Sequence, residues 1–234
     1  MTAEIILSKL LSAADPQKAK FLQGFFKTGK GEYAEGDIFL GIVMPVIRGI
    51  VKASPPLPFA EIQKLLDSVY HEARMAALLS LVRQFNKGKT AEEKKTVFDF
   101  YLRNARRANN WDLVDVSCRD VVGGHLLDKD RAPLYALAAS DNLWEQRIAI
   151  VSTWTFIKHR QLDDTFALSV TLMNHTHDLM HKAVGWMLRE TGKKDRDALT
   201  NFLNTHAPQL PRTALRYAIE HYPDDQRRHF LQKK

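Results

Sequence analysis

The feature that most constrains the fold of this chain is a repeated pattern of short amphipathic helical segments. Apolar residues recur at spacings of three and four in four windows, residues 58–69, 72–85, 91–107 and 143–158. This spacing is typical of a helix with one buried face, and no segment shows the convincing alternation of a half-exposed strand. The sequence therefore predicts an all-α protein.

Short connectors separate these helical windows. They contain proline, glycine or small polar residues and lie at residues 54–58, 86–90, 191–195 and 206–211. Before the helix at 91, Thr90 and Glu93 have the spacing of a capping box, in which each side chain binds the backbone N–H of the other residue.

Corresponding positions recur in the helical segments at intervals of 37, 36, 35 and 31 residues. Each interval has room for one pair of antiparallel helices, and stacked pairs of this kind build a solenoid. We therefore predict an α-α superhelix of HEAT-like repeats with a basic concave groove, formed by residues 1–234 as a single domain. The positions that carry the repeat are Arg74, Trp111, Arg147, Lys182 and Thr213.

The same register predicts a functional surface. If the second helix of each pair lines the concave side, equivalent positions on adjacent helices lie side by side, together with the residues four positions later, one helical turn away. We expect Trp111, Asp115, Arg147, Lys182 and Trp186 to converge there.

Charge favours a polyanionic partner. The chain has 34 Lys and Arg against 27 Asp and Glu, a net charge of +7 and a pI near 9.4, which suits nucleic acid or an anionic surface. The guanidinium of Arg147 is suited to two parallel hydrogen bonds with a phosphate. Further cations that add to this field are Arg106, Arg107, Lys158, Arg160, Lys182, Arg189, Arg212 and Arg216.

Several other classes of protein are disfavoured. Cys118 is the single cysteine, so it forms no internal disulfide, and a reducing compartment, the cytoplasm, is expected. The N-terminus lacks the basic segment and long apolar run of a secretory signal. No run of eighteen apolar residues predicts a membrane span.

The segment 174–181 contains three histidines and an aspartate, His175, His177, Asp178 and His181. This composition resembles a metal site only superficially, because no further ligands follow elsewhere, and Thr176 or Asp178 is a good residue to begin a helix. We expect neither a metal nor a cofactor. Residues 28–41, with four of the eleven glycines, are expected to form an ordered surface loop near a ligand.

Two interpretations of the central residues remain open. Asp115 is either an ion-pair partner of Arg119, Arg147 or Lys182, or a carboxylate that stabilises positive charge and orients a water. Trp111 and Trp186 either pack between repeats or form a recognition surface. The other two tryptophans, Trp144 and Trp154, are expected to pack.

Three separated segments, in order, carry a family resemblance: "NNWDLVDVS", "NLWEQRIAIVSTW" and "HDLMHKAVGWMLRETGKKD". With "KTGKGEYAEGDIFLGIVMPVIR" nearer the N-terminus, they resemble the DNA alkylation repair family of AlkD-like, HEAT-like repeat DNA glycosylases. Trp111, Asp115, Arg147 and Trp186 match the functional residues of that family. The resemblance covers most of the chain.

The resemblance implies a monomeric enzyme without a cofactor. It would cradle duplex DNA and excise alkylated purines that carry a positive charge, such as N3-methyladenine and N7-methylguanine, without extruding the base. It also implies an early aromatic residue near the DNA, with Phe25, Phe26 and Tyr33 as candidates. Two alternatives are a non-catalytic module that binds damaged or branched DNA and a scaffold for proteins.

Overall fold

A computed structural model describes residues 2–232, and helices account for nearly all of the regular structure in that range. Over the same residues, one isolated bridge is present, between Ile38 and Tyr70. The α-helices are α1 Ala3–Ser12, α2 Pro16–Phe25, α3 Met44–Ala53, α4 Phe59–Leu66, α5 His71–Lys87, α6 Ala91–Arg103, α7 Trp111–Cys118, α8 Gly124–Leu126, α9 Ala132–Ala138, α10 Leu143–Lys158, α11 Asp163–Leu172, α12 Asp178–Lys194, α13 Arg196–His206, α14 Arg212–Ala218 and α15 Asp224–Gln232.

The four helical windows predicted from the sequence are confirmed as α4, α5, α6 and α10. The capping box is also confirmed, because the Thr90 hydroxyl accepts from the Glu93 N–H and the Glu93 carboxylate accepts from the Thr90 N–H. Helix α6 ends earlier than predicted. Asn104 donates its side-chain amide to the Phe100 carbonyl, and the chain continues as a 3-10 turn over Ala105–Arg107.

Packing between successive helices follows the repeat. Helix α5 packs on α4 and α6, and α12 packs on α10, α11, α13 and α14. The approach of α12 to α14 requires Gly185, since a Cβ there would lie 2.4 Å from the Ala214 carbonyl oxygen. The predicted fold class, an all-α protein of stacked helical repeats, is confirmed.

The chain divides into two compact units, Met1–Ser117 and Cys118–Lys234. Each unit has its own apolar core, with Leu10, Ile62 and Leu81 fully buried in the first. Phe156 and Leu188 are fully buried in the second. The single continuous domain expected from the repeat stays a prediction.

The glycine-rich segment 28–41 is ordered as predicted, but it is not a surface loop over its whole length. Phe39 and Leu40 near its end are buried in the core, whereas Ile38 beside them is 44% exposed. Burial follows from Glu72, whose carboxylate accepts from the N–H groups of Leu40, Gly41 and Ile42 at 2.9, 2.9 and 3.2 Å. The segment is therefore anchored to the first turn of α5.

A five-residue π-helix, Arg119–Gly123, directly follows α7. The carbonyl groups of Cys118 and Arg119 accept from the hydroxyls of Ser152 and Thr155 at 3.4 and 2.6 Å. Gly123 faces α10 so closely that a Cβ there would meet the Ser152 carbonyl oxygen at 2.4 Å. Hydroxyl groups of α10 therefore satisfy carbonyls where the helix changes its winding.

Within the described range, none of the helices is long and apolar enough to cross a membrane.

Candidate functional site

Helix α7 carries the tryptophan and the aspartate that were predicted to be functional. Trp111 is its first residue, and its backbone N–H donates to the side-chain oxygen of the buried Asn110 at 2.8 Å. Asp115 lies one turn later on the same face, and both side chains are half-buried. The pair is thus positioned at the start of a helix and partly open to solvent.

Aromatic rings hold the indole of Trp111 in place. Phe26 stacks on it with ring centroids 5.2 Å apart and planes 18° from parallel. Phe39 stacks on Phe26 at 4.9 Å and 19°, and His71 stacks on Phe39 at 4.3 Å and 21°. Phe25 meets Trp111 edge-on at 6.3 Å. Stacking of this kind restricts the indole to one orientation.

Of the three early aromatic residues suggested by the resemblance, Phe26 is buried and Phe25 is exposed. Phe25 also stacks on Phe21, which is 69% exposed. These two exposed rings lie on α2, a helix with no fully buried residue. Tyr33 is half-buried in the glycine-rich segment.

A buried polar network lies beside this stack. The imidazole of His71 contacts two carboxylates, with Nε2 2.9 Å from Asp112 Oδ2 and Nδ1 3.3 Å from Asp37 Oδ2. The other oxygen of Asp37 lies 2.6 Å from Nη2 of Arg74 and accepts from Asn109 at 3.1 Å. The network therefore joins the glycine-rich segment, α5 and the start of α7.

Charges in this network shift its pKa values. Burial alone lowers the pKa of His71, but hydrogen bonds to Asp112 and Asp37 outweigh it, so the pKa lies above its ordinary 6.5. Burial alone raises the pKa of Asp37, but His71 and Arg74 outweigh it, so the pKa lies below its ordinary 3.8. The imidazolium form is thus favoured between two carboxylates.

The first unit also contains two of the predicted DNA-binding cations. Arg106 and Arg107 are exposed in the 3-10 turn that precedes α7. Arg107 lies 2.8 Å from the exposed carboxylate of Asp67. A surface pair of this kind is weak enough to exchange for a phosphate.

In the second unit, Arg147 is the fifth residue of α10 and is buried. Its Nη1 donates to the carbonyl of Leu179 in the first turn of α12 at 2.6 Å. Helix α12 also carries Lys182 and Trp186. The structure therefore brings these three predicted residues onto one pair of packed helices, with Arg147 buried where the sequence favoured a groove-facing side chain.

The remaining residues of α12 have mixed environments. Lys182 lies 2.8 Å from Asp178, and both side chains are about half exposed. Trp186, one turn further on, is half-buried. Arg189 forms an ion pair with the exposed Glu220 and lies 3.7 Å from Glu190, so its charge is already shared with two carboxylates.

Both tryptophans of α10 were expected to pack in the interior, and the structure confirms this for one of them. Trp144 is buried and packs, as expected. Trp154 is half-buried, and two cations lie over its ring, Arg119 at 4.7 Å and Lys158 at 4.4 Å. Cation–π contacts hold the predicted DNA-binding Lys158 at the end of α10.

The histidines of segment 174–181 form hydrogen bonds at the start of α12. The ring Nδ1 of His177 accepts from the Leu179 N–H and caps the helix, which begins at Asp178. The Nδ1 of His175 accepts from the His177 N–H, and His181 contacts the His175 carbonyl oxygen at 2.5 Å. Among residues 2–232, no group of three or more His, Cys, Asp or Glu side chains is placed to hold a metal ion.

Sequence reasoning missed the network of His71, Asp37 and Asp112. One signal was available, because α5 begins with His71, Glu72 and Arg74 and continues as an apolar helix. A cation in a first helical turn opposes the helix dipole and requires a compensating carboxylate. That carboxylate is Asp37, 37 residues earlier, in the glycine-rich segment.

The fold and the site define a class of protein. It is an all-α repeat protein with a tryptophan and an aspartate on the first two turns of one repeat helix. Comparison then gives the family. A model of the DNA alkylation repair enzymes matches residues 6–222. The chain belongs to this DNA alkylation repair family, and DNA is the substrate that membership implies.

A solved structure has the same fold. It is that of a predicted DNA alkylation repair enzyme from Enterococcus faecalis, with a TM-score of 0.69 and 17% identity over 90% of this chain and 97% of that one. A comparison with curated proteins finds no match.

Proposed function

We propose that this protein is a monofunctional DNA glycosylase that excises positively charged alkylated purines from duplex DNA. The observation that carries the proposal is the α7 pair: a half-buried indole fixed by stacking, and a half-buried carboxylate one turn later. Family membership supplies the context, and the pair has the residue types and spacing that the sequence resemblance assigns to the functional motif.

The chemistry needs one carboxylate. Cleavage of the bond between C1′ and the base nitrogen leaves the bonding electron pair on a base that was cationic and is now neutral. The sugar carries oxocarbenium-like positive charge in the transition state. Asp115 would stabilise that charge and direct a water to C1′, and its carboxylate would accept the proton that the water loses as the water oxygen bonds to the sugar. Because the base leaves neutral, no strong general acid is required.

Other residues would bind the DNA. Trp111 and Trp186 would contact the deoxyribose and backbone at the lesion, and Arg147 would bind a phosphate. Lys182, Arg106, Arg107, Lys158 and Arg189 would supply the surrounding positive field. The protein would act as a monomer on duplex DNA and leave the modified base stacked, so selectivity would depend on the instability of the lesion.

The decisive experiment compares release of N7-methylguanine from alkylated duplex DNA by the wild type and by Asp115→Asn. The variant should be about 10²- to 10³-fold slower, the range found when a group that stabilises transition-state charge is removed. DNA affinity should change little. Asp128→Asn, which neutralises an exposed carboxylate after α8, is the control and should retain full activity.

Two results would overturn the proposal. Efficient release of uracil, a neutral base, would show that cationic leaving-group chemistry is not the basis of excision. Absence of release by the wild type, beside tight binding that weakens steeply with salt, would indicate a DNA-binding module instead. Absence of both release and salt-dependent binding would favour a protein scaffold.

A further inference from the structure

The contacts around Trp111 form a closed circuit. On one side, stacked rings run from Trp111 through Phe26 and Phe39 to His71, with centroid separations of 5.2, 4.9 and 4.3 Å. On the other, Asp112 follows Trp111 in the chain, and its carboxylate returns to His71 at 2.9 Å. The indole is therefore restrained both through its ring and through its own helix.

His71 is the residue where the two sides of the circuit meet. Its side chain is 3% exposed, and a buried charge needs partners that compensate the loss of water. Asp112 faces it from α7 and Asp37 from the glycine-rich segment, while Arg74, on the same helix as His71, pairs with Asp37. Two carboxylates thus face one guanidinium and one imidazole. The two negative charges are balanced by two positive charges when the imidazole is protonated.

Protonation also decides how many carboxylates His71 can bind. An imidazolium donates from both ring nitrogens, whereas a neutral imidazole donates from one. Loss of the proton therefore leaves either Asp37 or Asp112 facing a ring nitrogen that cannot donate. If Asp112 is released, the helical side of the circuit opens next to Trp111.

We propose that His71 is a positioning residue of the glycosylase site: by joining Asp37 to Asp112 it fixes the Trp111 indole and the first turn of α7, and so the geometry at Asp115. This inference rests on the proposed function for its catalytic readout. His71 acts through Trp111 and α7 and does not touch the DNA.

The consequence is an alkaline limit on activity. Base release should decline as the pH rises through the elevated pKa of His71, while Asp37, whose pKa is lowered, remains ionised. The chemical step should be affected more than DNA binding, since the cations that would bind phosphate lie outside the network. This decline is the alkaline limb of the pH profile. If the role of His71 were purely structural, the residue would contribute to stability but would not produce this limb.

The test compares the pH dependence of single-turnover N7-methylguanine release by the wild type, His71→Asn and Asp112→Asn. Each variant should be about 10- to 100-fold slower at neutral pH, the effect of a lost supporting hydrogen bond at a site. Both should lack the alkaline limb, and their DNA dissociation constants should stay within about threefold of wild type. His125→Asn, which removes another buried imidazole, should keep the wild-type profile.

A second measurement is independent of catalysis. The four tryptophans give four indole N–H signals in a nitrogen-15 NMR spectrum, and Trp111→Phe identifies one of them. That signal should shift with the titration of His71 in the wild type and stop shifting in Asp112→Asn, which keeps the size of the side chain.

The two measurements separate the inference from the proposed function. If the wild type is inactive but its Trp111 signal still shifts with the titration of His71, the proposed glycosylase function is refuted and the positioning role of His71 stands. A Trp111 signal indifferent to pH and to both variants would overturn the positioning role, whatever the activity. An alkaline limb that persists in a folded His71→Asn would overturn it as well.

Discussion

Replacing Glu72 with glutamine tests whether one buried carboxylate holds the glycine-rich segment in place. Glu72 is 2% exposed, and it accepts three backbone N–H groups: Oε2 binds Leu40, and Oε1 binds Gly41 and Ile42. Glutamine has nearly the same size. It keeps one acceptor oxygen and places an amide donor where the other stood, so the substitution changes hydrogen bonding rather than volume.

The expected cost follows from these three bonds. A hydrogen bond to a charged group contributes about 1.5 to 3 kcal/mol and a neutral one about 1 kcal/mol. Glu72→Gln loses one charged bond and converts two others to neutral bonds, so the free energy of unfolding should fall by at least about 2.5 kcal/mol. For a chain of this size that corresponds to a Tm lower by roughly 5 °C or more.

Urea and thermal denaturation measure this change. Glu92→Gln, at an exposed position in the first turn of α6, is the control and should alter the free energy of unfolding by less than about 1 kcal/mol. If Glu72→Gln unfolds within about 1 kcal/mol of wild type, the carboxylate is not the anchor, and the order of residues 37–42 must come from apolar burial alone.

Three further predictions address the same unit. Gly41→Ala should cost at least about 2 kcal/mol of unfolding free energy, because the residue has φ +83° and a Cβ would lie 2.1 Å from the Asp15 carbonyl oxygen; Gly36→Ala, with φ +85° and open space, should cost less. Phe26→Ala should cost about 3 to 5 kcal/mol in urea unfolding, whereas a loss near 1 kcal/mol would show that the stack contributes little. Stability should be lost as the pH rises from 6.5 through the elevated pKa of His71, because the protonated form is favoured in the folded state. Equilibrium unfolding from pH 6 to 9 should show this slope in the wild type and not in His71→Asn.

Local sequence patterns were sufficient to predict the helices. Helix α10 has the bounds Leu143–Lys158 read from apolar spacing, and the capping box before α6 is present. Both depend on interactions within a turn or two of chain. Helix α6 ends at Arg103, four residues before the predicted end, because the Asn104 side chain binds the Phe100 carbonyl and interrupts a pattern that is otherwise helical.

The candidate site was predictable only as a set of residue types and spacings. Trp111 and Asp115 were selected from a four-residue spacing that any helix imposes. Their expected convergence with Arg147, Lys182 and Trp186 stays a prediction, although the last three lie on the packed helices α10 and α12. Burial of Arg147 was not predictable, because it depends on the Leu179 carbonyl 32 residues away.

The sequence by itself determined the all-α class, the repeat and the position of the tryptophan and aspartate on one helix face, because these depend on periodicities carried by neighbouring residues. Tertiary structure alone decided what surrounds them. His71 meets Asp37 and Asp112 across 34 and 41 residues, and three rings from separate segments stack beside Trp111. No local pattern encodes such contacts, since each partner acquires its environment only when distant segments exclude water together.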